Sequence, residues 1–473
     1  MAMGTSKREY QSQLWIAGDT LAGTPGHPFY ERVNVLLDEN GFESFVEKEC
    51  AAYYADKFGR PSTPPAVYFK MLFVGFFEGL DSERGIAWRV ADSMSLRDFL
   101  GYALTEATPD HSTLSRTRRL MSIETHQAVF AWVLGVLVDA KLLRGKTLGI
   151  DATTLEANAA LRSIVRRDTG ETYHEFLTRL AKASGIDTPT REDLAKLDRN
   201  RPGKGSNKDW RNPNDPDARI TKMKDGRTHL AHKGEHAVDM TTGAVIAVTL
   251  NGANQGDTTT IHDTLRKAKE NISEVARDHR RKSKLGPLRE VVADKGYHSN
   301  DTLRTLHEEH GLATSISEPN RGRRKWKDKP AERKAVYRNR KRIRSELGIE
   351  HRKRRSELVE RTFAHCYETG AMRRTHLRGH ENILKRLLIH VGAFNLSLLL
   401  RKTSGAGTPR GLWDAKRLRT KAGYGATRTV MERFLSRNST IFFKPRLSFS
   451  KFNNRSKTHR FNVAGIMTFA TGC

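Results

Sequence analysis

LLRGKTLGIDATTLEA, residues 142–157, leaves a long helical stretch and opens the first strand of a sheet. In TLGID, strand alternation puts Ile150 on one face and Asp151 on the other, with the carboxylate expected at the strand's end. A second run, REVVAD (289–294), closes the same way on Asp294, and the following KGYHS offers Gly296 for a sharp turn. In an α/β sheet, groups at strand ends meet in the crevice where ligands usually bind. A carboxylate there costs desolvation free energy unless it is paired or holds a metal.

Working outward from these strands, HLAHKGEHAVDM (229–240) and GAVIAVTLNG (243–252) read as an antiparallel pair joined at Thr241–Thr242. A helix starts at Asp257 and runs to about Glu270, with Asp257 read as its N-cap rather than as a ligand. SNDTLRTLHEEH is a helix capped by Ser299, and GLATSIS (311–317) a further strand. The order is β–insert–β–β–α–β–α–β, then helices, which is an α/β fold. The polar insert spans about 162–219, and its second half, DRNRPGKGSNKDWRNPNDPDAR, has the composition of a loop or disordered segment.

Residues 28–141 read as helices, with PPAVYFKMLFVGFFEGL (64–80) apolar nearly all round and so expected at the centre of a bundle. In TPDHSTLSRTRRLM, Thr108 is the expected N-cap and Pro109 the first helical residue. Its Arg116, Arg118 and Arg119 suit either a recognition helix in a helix-turn-helix or an ordinary solvated helix. The expected divisions are an N-terminal arm (1–27), a helical DNA-binding domain (28–141), a catalytic domain (142–402) and a basic, poorly ordered tail (403–473). An Arg-rich segment, 321–355, lies between a strand and the next helix, so it is no dispensable terminus.

The chain of 473 residues carries 83 Lys+Arg against 54 Asp+Glu, a formal net charge of +29. Such a charge calls for a polyanionic partner, and nucleic acid is the leading one. MAMGTSKREYQSQL lacks the apolar core of a secretory signal, and the apolar run Leu387–Leu400 is too short to span a bilayer, so no membrane role is expected. Three widely separated cysteines, Cys50, Cys366 and Cys473, give neither a disulfide framework nor zinc spacing. A reducing cytoplasm, with the protein on the nucleoid, fits.

Asp151 and Asp294, joined by a carboxylate from the helical pattern SELVERTFAHCYETG, have the chemistry to gather two divalent metals beside a phosphate backbone. Glu357 and Glu360 lie one turn apart there. Glu357 is positioned to pair with Arg361, whereas Glu360 shares its face with Ala364 and Tyr367, a more enclosed setting that favours it as the third ligand. Lys295 and Tyr297, following Asp294, are either DNA contacts or a solvated lysine and a core-edge ring; Trp326 is either a base-stacking or a packing residue.

Asp151 in LGIDATTLEANA, Asp294 in VVADKGYHS and Glu360 in ELVERTFAH resemble the three acidic motifs of bacterial insertion-sequence DDE transposases. FKMLFVGFFEGLDSERGIAWRVADSMSLRDFLGY with TPDHSTLSRTRRLM resembles the N-terminal helical domain of the same group. The resemblance implies an RNase H-like mixed-sheet core with Asp151, Asp294 and Glu360 as catalytic metal ligands. It also implies two magnesium ions, for which manganese substitutes, cleavage at terminal inverted repeats, strand transfer into target DNA, and a homodimer in synapsis. The family pattern has Arg four residues before the Glu and Lys seven after it, where this chain has Ser356 and Tyr367. Arg355 or Arg361 then stands for the first DNA contact, and Arg373 or Arg374 for the second. Two other readings remain: a DNA-binding regulator without catalysis, and an RNase H-like nuclease that cuts without joining.

Overall fold

The computed structural model describes residues 26–54, 62–201, 205–223, 225–279, 285–320, 322 and 324–412. The expected N-terminal arm up to residue 25, the tail from residue 413 and Cys473 lie outside the described residues. Among those described, seven α-helices precede the first strand: α1 (Pro28–Glu39), α2 (Phe42–Cys50), α3 (Pro65–Glu78), α4 (Glu83–Ala91), α5 (Met94–Phe99), α6 (His111–Leu120) and α7 (Ile123–Asp139). As its all-round apolar sequence dictates, α3 is buried from Ala66 to Phe77. Even Lys70 is only 5 % exposed, its ammonium 2.7 Å from Glu43. The cap of α6 falls two residues later than expected. Asp110, not Thr108, is the N-cap, because its carboxylate accepts the Thr113 N–H at 2.7 Å.

The sheet then begins with β1 (Thr147–Glu156). The insert carries β2 (Val165–Arg166), α8 (Tyr173–Ala183), α9 (Arg191–Asn200) and β3 (Trp210–Arg211), followed by β4 (Arg219–Lys222). Its second half is therefore more ordered than its polarity predicts. Trp210 sits in a small core with Ile164, Ala218, Ile220 and Leu230, and Asn212 accepts the Asn214 and Asp215 N–H groups. One aromatic ring and a few side-chain-to-backbone bonds order a segment whose average composition hides them. β5 (Thr228–Asp239) and β6 (Val245–Gly252) form the expected hairpin, with Gly243 at φ +79° in its turn. Next come α10 (Asp257–Asp278), β7 (Glu290–Ala293), α11 (Asn300–Glu308, capped by Ser299), β8 (Ala313–Ile316), α12 (Pro330–Arg344), α13 (Glu346–Phe363) and α14 (His380–Ser404).

The mixed sheet runs β4–β5–β1–β7–β8, with β6 beside β4 on the outer edge of β5. β1 is antiparallel to β5 and parallel to β7, and β7 is parallel to β8. Two buried asparagines finish the outer strands. Asn395 of α14 accepts from Val245 N and donates to Val245 O (2.9 and 2.8 Å), and Asn339 of α12 does the same for Ile316 of β8 (2.9 and 2.8 Å). Each amide reproduces a missing strand neighbour and leaves no stranded backbone group.

α14 is the apolar stretch that contains Leu387–Leu400. Against the expectation from Leu387–Leu400 alone, the helix is long and apolar enough to cross a membrane, yet its apolar residues are buried inside the protein. It packs against α3, α7 and β6, so one continuous core links the first helices to the last.

Candidate active site

Two strand lengths decide where the first carboxylate lies. Asp151 is not at the end of β1, as expected, but at its middle, because antiparallel pairing with β5 carries the strand on to Glu156. The parallel ladder with β7 does stop there: its last rung is Ile150–Ala293, and Asp151 and Asp294 come next on the two chains. Pairing on this side of β1 therefore stops where the carboxylates follow, because β7 is short.

Asp294 heads a one-turn 3-10 helix, Lys295–Tyr297, and accepts the Gly296 N–H at 2.8 Å. Asp151 faces α13. Arg355 Nη1 lies 2.6 Å from Asp151 Oδ2, with the two side chains 11 % and 23 % exposed. Burial pushes the Asp151 carboxyl above the ordinary aspartate range; Arg355 and the Ala152 N–H pull it back, and the charge of Asp294 pushes it further up. The approach of α13 depends on Gly149, where a Cβ would stand 3.2 Å from both Arg355 Cγ and Val359 Cγ2.

Glu360 is on α13 as expected, but its side chain is exposed rather than enclosed. The face of α13 that carries Glu360 and Ala364 points to solvent, and a π-helical turn, Ala364–Thr369, then breaks the register to Tyr367. Tyr367 goes inward to His236 (2.6 Å) while Glu360 stays at the surface. Glu357 pairs with Arg361, as its spacing predicts. Among the described residues no three His, Cys, Asp or Glu side chains converge tightly enough to hold one ion, so Asp151 and Asp294 come together without Glu360.

The basic residues divide sharply. Arg116, Arg119, Lys295 and Arg374 are exposed. Arg118 is not available to DNA as expected: it is 7 % exposed and ties α6 to Glu83 and to Asn382 of α14. Tyr297 is likewise no surface contact, being fully buried with its hydroxyl donating to Glu235 at 2.7 Å. Arg355 is engaged by Asp151 and Arg361 by Glu357. Arg373 bonds Glu368 and Thr153 and lies over the Tyr367 ring. Trp326 packs partly buried against the core, 6.2 Å from the Tyr337 ring.

On α12, Lys334, Arg338 and Lys341 project outward as one exposed stripe. Beside it a cavity of about 510 Å³ is lined by Arg289, His307, Arg338, Lys341 and Arg342. Such a surface fits a phosphate backbone.

Sequence reading missed the support behind Asp294. Asp257 is the first residue of α10, not its cap, which is Gly256; its carboxylate pairs with Lys233 Nζ at 2.6 Å. Glu235 is fully buried and also accepts from Thr260 and Thr264. The signal was present: Lys233 and Glu235, two residues apart in a strand with little exposure, require partners.

Residues 21–120 match the family described as a transposase domain of the DUF772 type, and residues 196–396 match the transposase DDE domain. No curated protein matches the chain. The two matches together cover nearly two thirds of the sequence and take in Asp294 and Glu360, and the fold supplies Asp151 on the neighbouring strand. The chain belongs to the DDE transposases of insertion sequences, enzymes that cleave DNA with the help of metal ions in transposition.

Proposed function

We propose that this transposase binds the terminal inverted repeats of its element, cuts there by two-metal chemistry on an RNase H-like core, and joins the ends to target DNA. The observation that carries the reading is the meeting of Asp151 and Asp294 just past the last rung of the parallel β1–β7 ladder. The strand order supports the core assignment: β6–β5–β1–β7–β8, three antiparallel strands followed by two parallel to β1.

The donor set fits a hard divalent cation such as magnesium or manganese, which takes carboxylate oxygens. Asp151 is an anion in a partly buried place, disfavoured by burial and by Asp294, and Arg355 supplies the compensating positive charge there. Asp151 and Asp294 would hold the ions, with Glu360 as the third ligand by its family motif. When bound, such ions supply an activated oxygen nucleophile and stabilise the leaving oxygen. The chain's own groups hold the substrate. Arg116 and Arg119 on α6 contact the element end, and the stripe on α12 with the neighbouring cavity grips the phosphate backbone. Lys295, beside Asp294, and Arg374 complete the basic rim. Two ends brought into synapsis make the working form a homodimer.

The test is an assay with labelled inverted-repeat ends and magnesium. Joined product is expected; cutting alone would identify a nuclease, and binding alone a DNA-binding regulator. Asp151→Ala, Asp294→Ala and Glu360→Ala each abolish cleavage while DNA binding persists. Cleavage retained by Asp294→Ala would sink the assignment.

A further inference from the structure

Gly296 joins two carboxylates that the chain separates by 37 positions, Asp257 and Asp294. Its N–H is given to Asp294 Oδ1 at 2.8 Å, and a Cβ built on it would collide with Asp257 Oδ2 while standing 3.1 Å from Asp294 Oδ1. The φ of Gly296 is not in the left-handed region, so the demand for glycine here is one of space. Asp257 thus fills the place of a side chain at Gly296.

Asp257 is itself fixed. Lys233, whose side chain is 5 % exposed, donates to Asp257 Oδ1 (2.6 Å), Thr260 Oγ1 (2.9 Å) and Gln255 O (3.3 Å), which uses all three of its N–H bonds. On the other side of the turn, Tyr297 is anchored through its hydroxyl to Glu235. The Asp294 turn is therefore held from both sides, by Lys233–Asp257 and by Glu235–Tyr297.

We propose that Asp257, clamped by Lys233, is a positioning residue that sets the Gly296 turn and thereby aims the Asp294 carboxylate at the metal. This rests on the reading of Asp294 as a metal ligand. Groups that orient a ligand in this way typically govern metal affinity by 10–100-fold.

The experiment is calorimetric titration of the full-length, DNA-free protein with Mn2+, with circular dichroism to establish folding at the assay temperature. Asp257→Ala is expected to weaken Mn2+ binding by about tenfold or more. Gly296→Ala is expected to do the same, because its methyl drives into Asp257. The double variant should bind no more weakly than Asp257→Ala alone, since removing the carboxylate makes room for the methyl, as expected of two groups in contact. Asp257→Asn, which keeps an oxygen for Lys233 and the shape beside Gly296, is expected to retain most of the Mn2+ affinity; if Asp257→Ala does not fold, Gly296→Ala alone carries the expected loss. Unchanged Mn2+ affinity in Asp257→Ala or in Gly296→Ala, or additive losses in the double variant, overturns the proposal provided Asp151→Ala binds Mn2+ poorly. Wild-type Mn2+ affinity in Asp151→Ala overturns the metal-site reading instead.

Discussion

At the scale of single residues, the pairing of Arg355 with Asp151 sets how acid the medium can become before the site fails. Burial raises the Asp151 carboxyl and Arg355 lowers it again, so in the proposed metal site the carboxylate would be available only above its raised pKa. Removing the guanidinium moves that pKa further up. Arg355→Gln should therefore shift the acid limb of the cleavage–pH profile to higher pH, with the smallest loss on the alkaline side. A profile with an unmoved acid limb would show that Arg355 does not tune Asp151. The residue scale is also where the sequence was hardest to read. Arg118 stands in a basic run on a polar helix, but its partners Glu83 and Asn382 are 35 and 264 positions away, which local pattern does not reveal. Tyr297 follows Asp294 in a surface-like turn, and its inward direction is set by Glu235, 62 positions earlier. Asp151 and Asp294 were legible, because a carboxylate after a β-branched or apolar run is visible in the local chain. Their meeting was legible only through the rule for strand ends.

At the scale of elements, alternation and caps gave β1, β5, β6, β7, β8 and α11, while the short strands β2, β3 and β4 and two further features escaped. The extension of β1 beyond Asp151 depends on β5, a strand some eighty residues later, and the parting of Tyr367 from the face of Glu360 depends on the π-helical step after α13. The ordering of the insert could have been found. Thr172 with Glu175 and Thr190 with Asp193 are capping boxes that announce α8 and α9 in the sequence itself. Edge strand β8 supplies the prediction for this scale. Asn339→Ala leaves the Ile316 N–H and C=O buried without partners, which costs about 1–3 kcal/mol. A lowered unfolding midpoint and faster exchange of the Ile316 amide are expected. An unchanged exchange rate would mean that α12 is not what protects this edge.

For the whole molecule, the excess of positive charge is the dominant long-range feature, +29 in 473 residues. Composition alone predicted a polyanionic partner, and only the fold shows which cations are free to serve it. Each phosphate contact contributes about 0.9 to the slope of log K against log salt on duplex DNA. Replacing Lys334, Arg338 and Lys341 by alanine should flatten that slope by about three units, weakening binding on any sequence alike. Equal slopes for wild type and variant would remove α12 from the interface.

The reach of α14 across the chain has a consequence for biosynthesis. α3 leaves the ribosome with a nearly all-apolar surface, and the helix that covers it, His380–Ser404, is made some three hundred residues later. Phe73 and Phe77 lie against Phe42 and Phe29, which are made first, but Phe76 meets its ring partners His390 and Phe394 only when α14 exists. A message truncated anywhere in that interval yields a fragment whose Phe76 face is left open. Nascent chains thus complete this core only once α14 has been made.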